Sequence, residues 1–276
     1  LSSENVKVIT TDYSPASLTI AFAGQDAVLS LLGLSAISQQ YALVEAAVKA
    51  GIKRFLPSEF GLDNASEQVL AVVPPFRLRA ELIDTLKAKQ AAGSTIEWTA
   101  VVAGLFLDWG LRTGFLGLDV EQRTAEIWDN GDVPFTVTNL PLVARTVVKL
   151  LTDTAAYKAS RNTYIYTGSA TTTLKEILAA TEKATNAKFE VTRIESQKLI
   201  TESTKKLKDG DLTATVHLVK AVALAKVQGE ALTDLRKFGF FNEKFGIKDD
   251  TTEEIVATVV HNWHKLPYSH YVLPTV

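Results

Sequence analysis

Apolar residues follow two alternating periods along the first part of the chain. Nearly continuous apolar runs at 6–9 (Val6-Lys7-Val8-Ile9), 26–32, 54–57 and 97–102 predict strands, the last turning at Gly104. Strands buried on both faces lose the polar–apolar alternation of a half-exposed strand. Between them, Ile37, Tyr41, Val44 and Val48 recur at helical spacing, with Gly51 as a stop. Leu78, Leu82 and Leu86 mark one stripe of a second helix across 76–91. Ser14 followed by Pro15 predicts an N-cap and first turn of a short helix. Strands alternating with helices of this length predict an α/β fold with a parallel sheet covered on both faces.

The second half is less regular. Short strands at 126–128 and 133–137 flank Asn130-Gly131, which predicts a tight connection between them. A helix is expected at 142–151, a strand at 162–166 and a further strand at 188–194. Thr173 with Glu176, and Thr251 with Glu254, have the spacing of capping boxes, the second opening a helix that reaches Trp263. An exposed polar stretch at 205–210 precedes a strongly apolar helix at 213–227. This pattern predicts a smaller lobe in the last third, interdigitated with the rest.

Composition narrows the function classes. The chain has 276 residues, 46% of them hydrophobic and 22% charged, with a net charge of -2. Both signs are interspersed, so neither a nucleic acid nor a membrane surface is expected as partner. No apolar run approaches the roughly 18 residues of a membrane span. Without cysteine the given sequence offers no disulfide framework and no thiolate catalyst, and a cytoplasmic location is expected. Truncation or processing would explain the start at Leu1-Ser2-Ser3, and loss of modified methionines would explain the absence of Met throughout and leave silent gaps in the numbering.

The most informative segment is Leu56-Pro57-Ser58-Glu59-Phe60-Gly61, which closes an apolar strand and opens a turn. It puts backbone groups, an acid and an aromatic ring at a strand's carboxyl end, where open α/β sheets place their ligands. A turn shaped by Pro57 and Gly61 around a solvated Glu59 and a packed Phe60 is the bland alternative. Together with Lys53-Arg54-Phe55 before it, 99–106, Asp26-Ala27-Val28-Leu29-Ser30-Leu31, and Gly131-Asp132 with the 140–150 helix, the segment resembles the NmrA-like and isoflavone-reductase-like branch of atypical short-chain dehydrogenases. The resemblance covers most of residues 6–170 and is looser beyond.

That resemblance implies a Rossmann-like dinucleotide-binding domain over 1–150 and a smaller C-terminal substrate lobe mainly over 151–276. Leu31 and Leu32 would lie under the cofactor, Pro57, Ser58 and Phe60 would line its ribose and nicotinamide, and Gly104 and Phe106 would border nicotinamide and substrate. NADP(H) is expected over NAD(H), and the substrate is expected to be a hydrophobic, aromatic or conjugated small molecule. Glu59, Trp109, His217, Phe240 and Phe241 are the candidates for its pocket, and a homodimer is a possible assembly.

Two departures stand out. Gly24, Gly33 and Gly51 do not have the spacing of the phosphate-binding turn. An N-terminal βαβ entry of about 30 residues is therefore expected to be missing, with 6–10 as the third strand of the first half. The second departure is Arg79, which stands where the family's reductases carry a lysine for proton transfer. Arginine stays protonated, so its expected role is electrostatic; pairing with Glu81 or Asp84 is the bland alternative. No Tyr is followed by Lys four residues later, and His261 with His264 lacks a third ligand, so no metal site is expected. The function expected is NAD(P)H-dependent reduction, and the alternative is a dinucleotide-binding regulator without turnover.

Overall fold

The computed structural model describes residues 6–263. In chain order it contains α1 (Pro15–Phe22), β1 (Ala27–Leu29), α2 (Gln40–Ala50), β2 (Arg54–Leu56), α3 (Glu67–Val72), α4 (Arg77–Ala91) and β3 (Glu97–Val102). Then come β4 (Leu105–Phe106), α5 (Leu107–Arg112), β5 (Leu118–Asp119), β6 (Thr124–Trp128), β7 (Phe135–Thr138), α6 (Leu140–Thr152), α7 (Thr154–Ala159) and β8 (Thr163–Tyr166). The remainder is β9 (Ala170–Thr172), α8 (Leu174–Thr185), β10 (Glu190–Ile194), α9 (Ser196–Lys208), α10 (Thr215–Leu224), α11 (Phe241–Lys244) and α12 (Thr252–His261).

Four strands in the order β1-β2-β3-β8 form the parallel sheet that the alternating pattern predicts. Alternation along each strand divides its side chains between two layers. Phe55, Trp98 and Ala100 pack under α1, α2 and α4 with Leu18, Val44, Leu82 and Leu86. Leu56, Val101 and Ile165 face the other way, onto Leu150 of α6 and Ala156 of α7. Gly51, with a φ of 73°, ends α2 and lets Ile52 N–H return to the Ala47 carbonyl.

The smaller lobe is built on two three-stranded sheets, β10-β6-β5 and β4-β7-β9. Its core joins Leu70 and Phe76 to Leu111, Trp128, Phe135, Ile177, Leu218 and Val256. Both expected capping boxes are present, at Thr173/Glu176 and Thr251/Glu254. β10 pairs in parallel with β6, which precedes it in the chain by roughly 60 residues.

Two local expectations are corrected. Residues 6–9 form no strand, and Val6, Val8 and Ile9 are exposed. An apolar run becomes a strand only beside another strand, and none among the described residues adjoins it. The Asn130-Gly131 turn does not join a hairpin, because β6 and β7 belong to different sheets. Gly131, at a φ of 70°, instead receives Lys175 N–H on its carbonyl at 3.0 Å and seats the start of α8. The polar stretch at 205–210 is mostly exposed, as expected, and its first residues form the last turn of α9.

Candidate functional site

The site begins where β2 stops. Pro57 has no N–H to continue the ladder, and the Leu56 carbonyl accepts from Ser30 N–H at 2.9 Å, tying the ends of β1 and β2 together. Ser58 is then fixed from both sides. Its N–H donates to Gln40 Oε1 at 2.7 Å and its hydroxyl donates to the Leu32 carbonyl at 2.7 Å. Phe60 adopts a φ of 25°, a region that non-glycine residues rarely enter, so the surrounding contacts hold the turn against its own preference.

Gly61 docks the turn onto β3. It bridges Val102 in parallel, and its carbonyl accepts from Ala103 N–H at 3.1 Å and Gly104 N–H at 3.0 Å. Gly104 itself, at a φ of 62°, lies so close to β7 that a Cβ would run into the Thr136 carbonyl. The carboxyl ends of β1, β2 and β3 and the start of β4 thereby form one continuous rim.

An acid and a cation lie behind that rim. Glu59 is 2% exposed; Asn64 Nδ2 donates to its Oε2 at 2.5 Å, while Oε1 is buried with no protein partner. Burial pushes the Glu59 carboxyl up to about 7, against the opposing pull of the Asn64 hydrogen bond and the Arg79 charge, with Asp63 adding to the rise. Arg79 of α4 lies over the Phe76 ring at 4.5 Å and donates through Nη1 to the Glu59 main-chain carbonyl at 3.1 Å. Burial lowers its pKa and Glu59 raises it, yet a guanidinium keeps its proton in a protein.

Asp63, also buried and raised by burial, accepts from Ala65 N–H at 3.1 Å and Tyr166 hydroxyl at 3.3 Å. The Tyr166 ring stacks on Phe238 with centroids 4.0 Å apart and planes 7° from parallel. Burial, reinforced by the nearby carboxyls, raises the phenols of Tyr164 and Tyr166.

The fold therefore gathers Ser58, Glu59, Phe60, Arg79 and Gly104. Leu31, just past β1, is 71% exposed, whereas Leu32 is half-buried against the α2 layer. Pro57 is buried, Phe60 packs partly on the Leu56–Val101 layer and Phe106 is half-buried. The remaining candidates lie elsewhere. Trp109 packs at 5.2 Å on Phe115, beside Asp108, whose carboxyl accepts from Leu140 N–H and caps α6. His217 is half-buried on α10, and burial, with Lys220 and Lys206 nearby, lowers its pKa. Phe240 packs on Gly168, and Phe241 joins the Leu56–Ile165 layer and meets the Phe245 ring at a tilt of 35°. With Tyr164 and Tyr166 these two line a groove of about 620 Å³ along β8, the outer strand of the sheet among the described residues.

Sequence reasoning missed Gln40, Asp63, Asn64 and Tyr166. Asp63 and Asn64 follow Gly61 almost directly and could have been included with the turn. Gln40 and Tyr166 carry no local signal and reach the site only through α2 and β8. Among the described residues no cluster of three or more His, Asp or Glu is placed to hold a metal. His264 and His270 lie outside those residues. No helix among them is long and apolar enough to cross a membrane.

A parallel α/β sheet with a structured turn at its carboxyl edge and a second lobe beside it is the architecture of a ligand-binding Rossmann-type protein. More particularly, the chain belongs to the NmrA-like family, which matches residues 1–220. Oxidoreductase poxI of Penicillium oxalicum is 30% identical over 260 residues, covering 92% of this chain and 80% of its own length. Two solved structures share the fold. The complex of leucoanthocyanidin reductase from Vitis vinifera with NADPH has a TM-score of 0.67 at 17% identity, covering 90% of this chain and 83% of its own. An isoflavone reductase has a TM-score of 0.68 at 20% identity, covering 90% and 80%.

Proposed function

We propose that this protein is an NADPH-dependent reductase of a hydrophobic, aromatic or conjugated small molecule. The observation that carries the reading is the 56–61 turn, held across the carboxyl ends of three parallel strands and completed by Gly104. Polar atoms around it support a ligand there: Ser30 Oγ, Gln40 Nε2, Glu59 Oε1 and Arg79 Nε are buried with no hydrogen-bond partner. Buried polar groups are otherwise nearly always paired, and a bound polar molecule is one remedy. The exposed apolar Leu31 beside them suits the face of a flat ring.

These residues fit the nicotinamide and ribose half of the dinucleotide. No glycine-rich turn for its pyrophosphate occurs in the sequence. Leu31 and Leu32 would lie beneath the cofactor, the Pro57, Ser58 and Phe60 backbone would follow its ribose, and Gly104 and Phe106 would border the nicotinamide. Ser58 acts by holding the turn, since its N–H and hydroxyl are both engaged within the protein. When bound, reduced nicotinamide supplies a hydride. Arg79 stabilises negative charge on the acceptor, and the apolar lobe excludes water. NADPH is preferred because the leucoanthocyanidin reductase neighbour is a complex with it. The aromatic acceptor class follows the substrates named for the two structural neighbours. The cofactor is assigned mainly to residues 1–150 and the substrate mainly to the lobe over 151–276, to which β4 to β7 contribute from before residue 150.

Fluorescence titration with NADPH and NADH, followed by NADPH consumption with a panel of conjugated ketones, tests the reading. Binding that favours NADPH and turnover of at least one acceptor are expected. Absence of NADPH binding refutes it. Arg79 favours a second reading, a dinucleotide-binding regulator, because it occupies the place where the family's reductases carry a lysine. NADPH binding without turnover of any panel member, and with different affinities for the oxidised and reduced forms, would favour that reading instead.

A further inference from the structure

Aromatic side chains from both faces of the sheet come to the surface along β8, which pairs with β3 alone among the described residues. Tyr164 and Tyr166 project to one face and Ile165 to the other, where Phe241 and Phe245 pack. With Phe238 and Phe240 they enclose the groove of about 620 Å³, roomy enough for a small organic molecule. The Phe238 ring stacks flat on Tyr166, with centroids 4.0 Å apart, yet stays 44% exposed. An exposed ring held in this way is a platform for a further planar ring, because stacked rings gain more than the area they bury.

The polar side chains beside these rings are mostly donors. The Tyr164 hydroxyl lines the groove, makes no hydrogen bond among the described residues and is not sealed from solvent. The Lys244 ammonium lies over the Phe245 ring at 5.7 Å and has no ion-pair partner among those residues. Lys237, over Phe238 at 5.1 Å, acts instead on Asp63 and Asp234, which Tyr166 and Arg236 hold. Glu243, exposed and next to Lys244, is the one acid on the lining. A peptide adding a strand suits the groove less well, since β8 offers only four residues for main-chain pairing.

We propose that the β8 groove is a second ligand site, for a planar aromatic molecule carrying a carboxylate, whose rings stack on Phe238 and whose charge meets Lys244. The assignment does not rest on the reductase reading, because the groove follows the outer strand while the nicotinamide rim crosses β1, β2 and β3. The two are tied together at one point. Tyr166, which lines the groove, donates to Asp63 in the loop that follows the 56–61 turn.

Calorimetric titration of the full chain without dinucleotide tests this with 2-naphthoate, neutral 2-naphthamide and the non-planar cyclohexanecarboxylate. 2-Naphthoate is expected to bind with a Kd on the order of 10⁻⁴ M. Cyclohexanecarboxylate should bind about 10-fold more weakly for want of a planar ring, and 2-naphthamide about 3–5-fold more weakly for want of charge. Phe238→Ala should weaken 2-naphthoate about 5–10-fold. Lys244→Gln should bring the acid and the amide within about 2-fold of each other. Both replaced side chains are exposed, so thermal melts of the variants should match wild type. Absence of 2-naphthoate binding at millimolar concentration overturns the proposal, as does binding that Phe238→Ala leaves unchanged. A wild-type dimer in sedimentation that Phe238→Ala dissociates also overturns it, because the groove would then hold a second copy of the chain. Binding of 2-naphthoate as expected by a protein that binds no NADPH sustains the proposal and overturns the reductase reading alone.

Discussion

Replacing Glu59 with glutamine should make the protein more stable than wild type above neutral pH and leave it nearly unchanged in acid. The reason lies in where the proton sits. Unfolded, the carboxyl titrates at the ordinary 4.5; folded, burial carries it to about 7. Between those values the folded state keeps a proton that the unfolded chain has released. Stability therefore falls with rising pH by about 1.4 kcal/mol per unit, and the window is about two and a half units wide. The favourable contribution is complete below about pH 4.5 and lost once pH has passed about 7, a change of about 3 kcal/mol. Glutamine has nearly the same shape and no proton to lose, so the variant escapes this change. Urea unfolding followed by circular dichroism, for both proteins at about pH 4.5 and about pH 8, measures the effect. Other titrating groups are common to the two chains and largely cancel. The stability difference should move by about 3 kcal/mol in favour of Glu59→Gln at the higher pH. A difference equal at both pH values within about 0.5 kcal/mol would refute the reasoning and show that Glu59 ionises as an exposed glutamate does.

Arg54, 1% exposed, donates to Glu97, Thr99, Ser160 and the Tyr157 carbonyl and lies over the Tyr157 ring at 3.9 Å. Arg54→Met should lose about 3 kcal/mol in urea unfolding, the low end for breaking a buried pair, because Glu97 keeps Arg161 at 2.6 Å. Gly104→Ala should lose about 2–4 kcal/mol, from the positive φ and the collision with Thr136, and should weaken NADPH binding in a fluorescence titration. Ser58→Ala removes the bond to the Leu32 carbonyl; about 1 kcal/mol of stability and a several-fold weaker NADPH Kd are expected.

The alternation of apolar runs and helical stripes was sufficient for the parallel sheet, because the burial of its central strands β2 and β3 on both faces is written in their own residues. Caps were equally legible: Thr173 and Thr251 act on groups three residues away. The 56–61 turn could be found for the same reason, since Pro57 ends a ladder and Gly61 opens a turn by local chemistry. Residues 6–9 show the limit of this logic, because an apolar run has no means of naming its neighbour. Asn130-Gly131 shows another, since a turn signal does not say whether the strands beside it will pair. Phe240 and Phe241 were legible as apolar but not as belonging to the β8 edge and the sheet core.

Local composition along the chain thus decided the class of fold and the parallel sheet that opens it, and it marked the turn at the carboxyl end of β2. Local rules set backbone direction and the burial of each face, and they need only near neighbours. The chemistry of the site depended on residues distant in the chain: Gln40 on Ser58, Arg79 on the Glu59 carbonyl, and Tyr166 on Asp63. Glu59 reads as an ordinary surface acid until the packing of α4, β8 and its own loop removes water from around it. Desolvation is a property of the assembled surroundings, so only the folded chain could turn that side chain from a solvated charge into an acid poised near neutral pH.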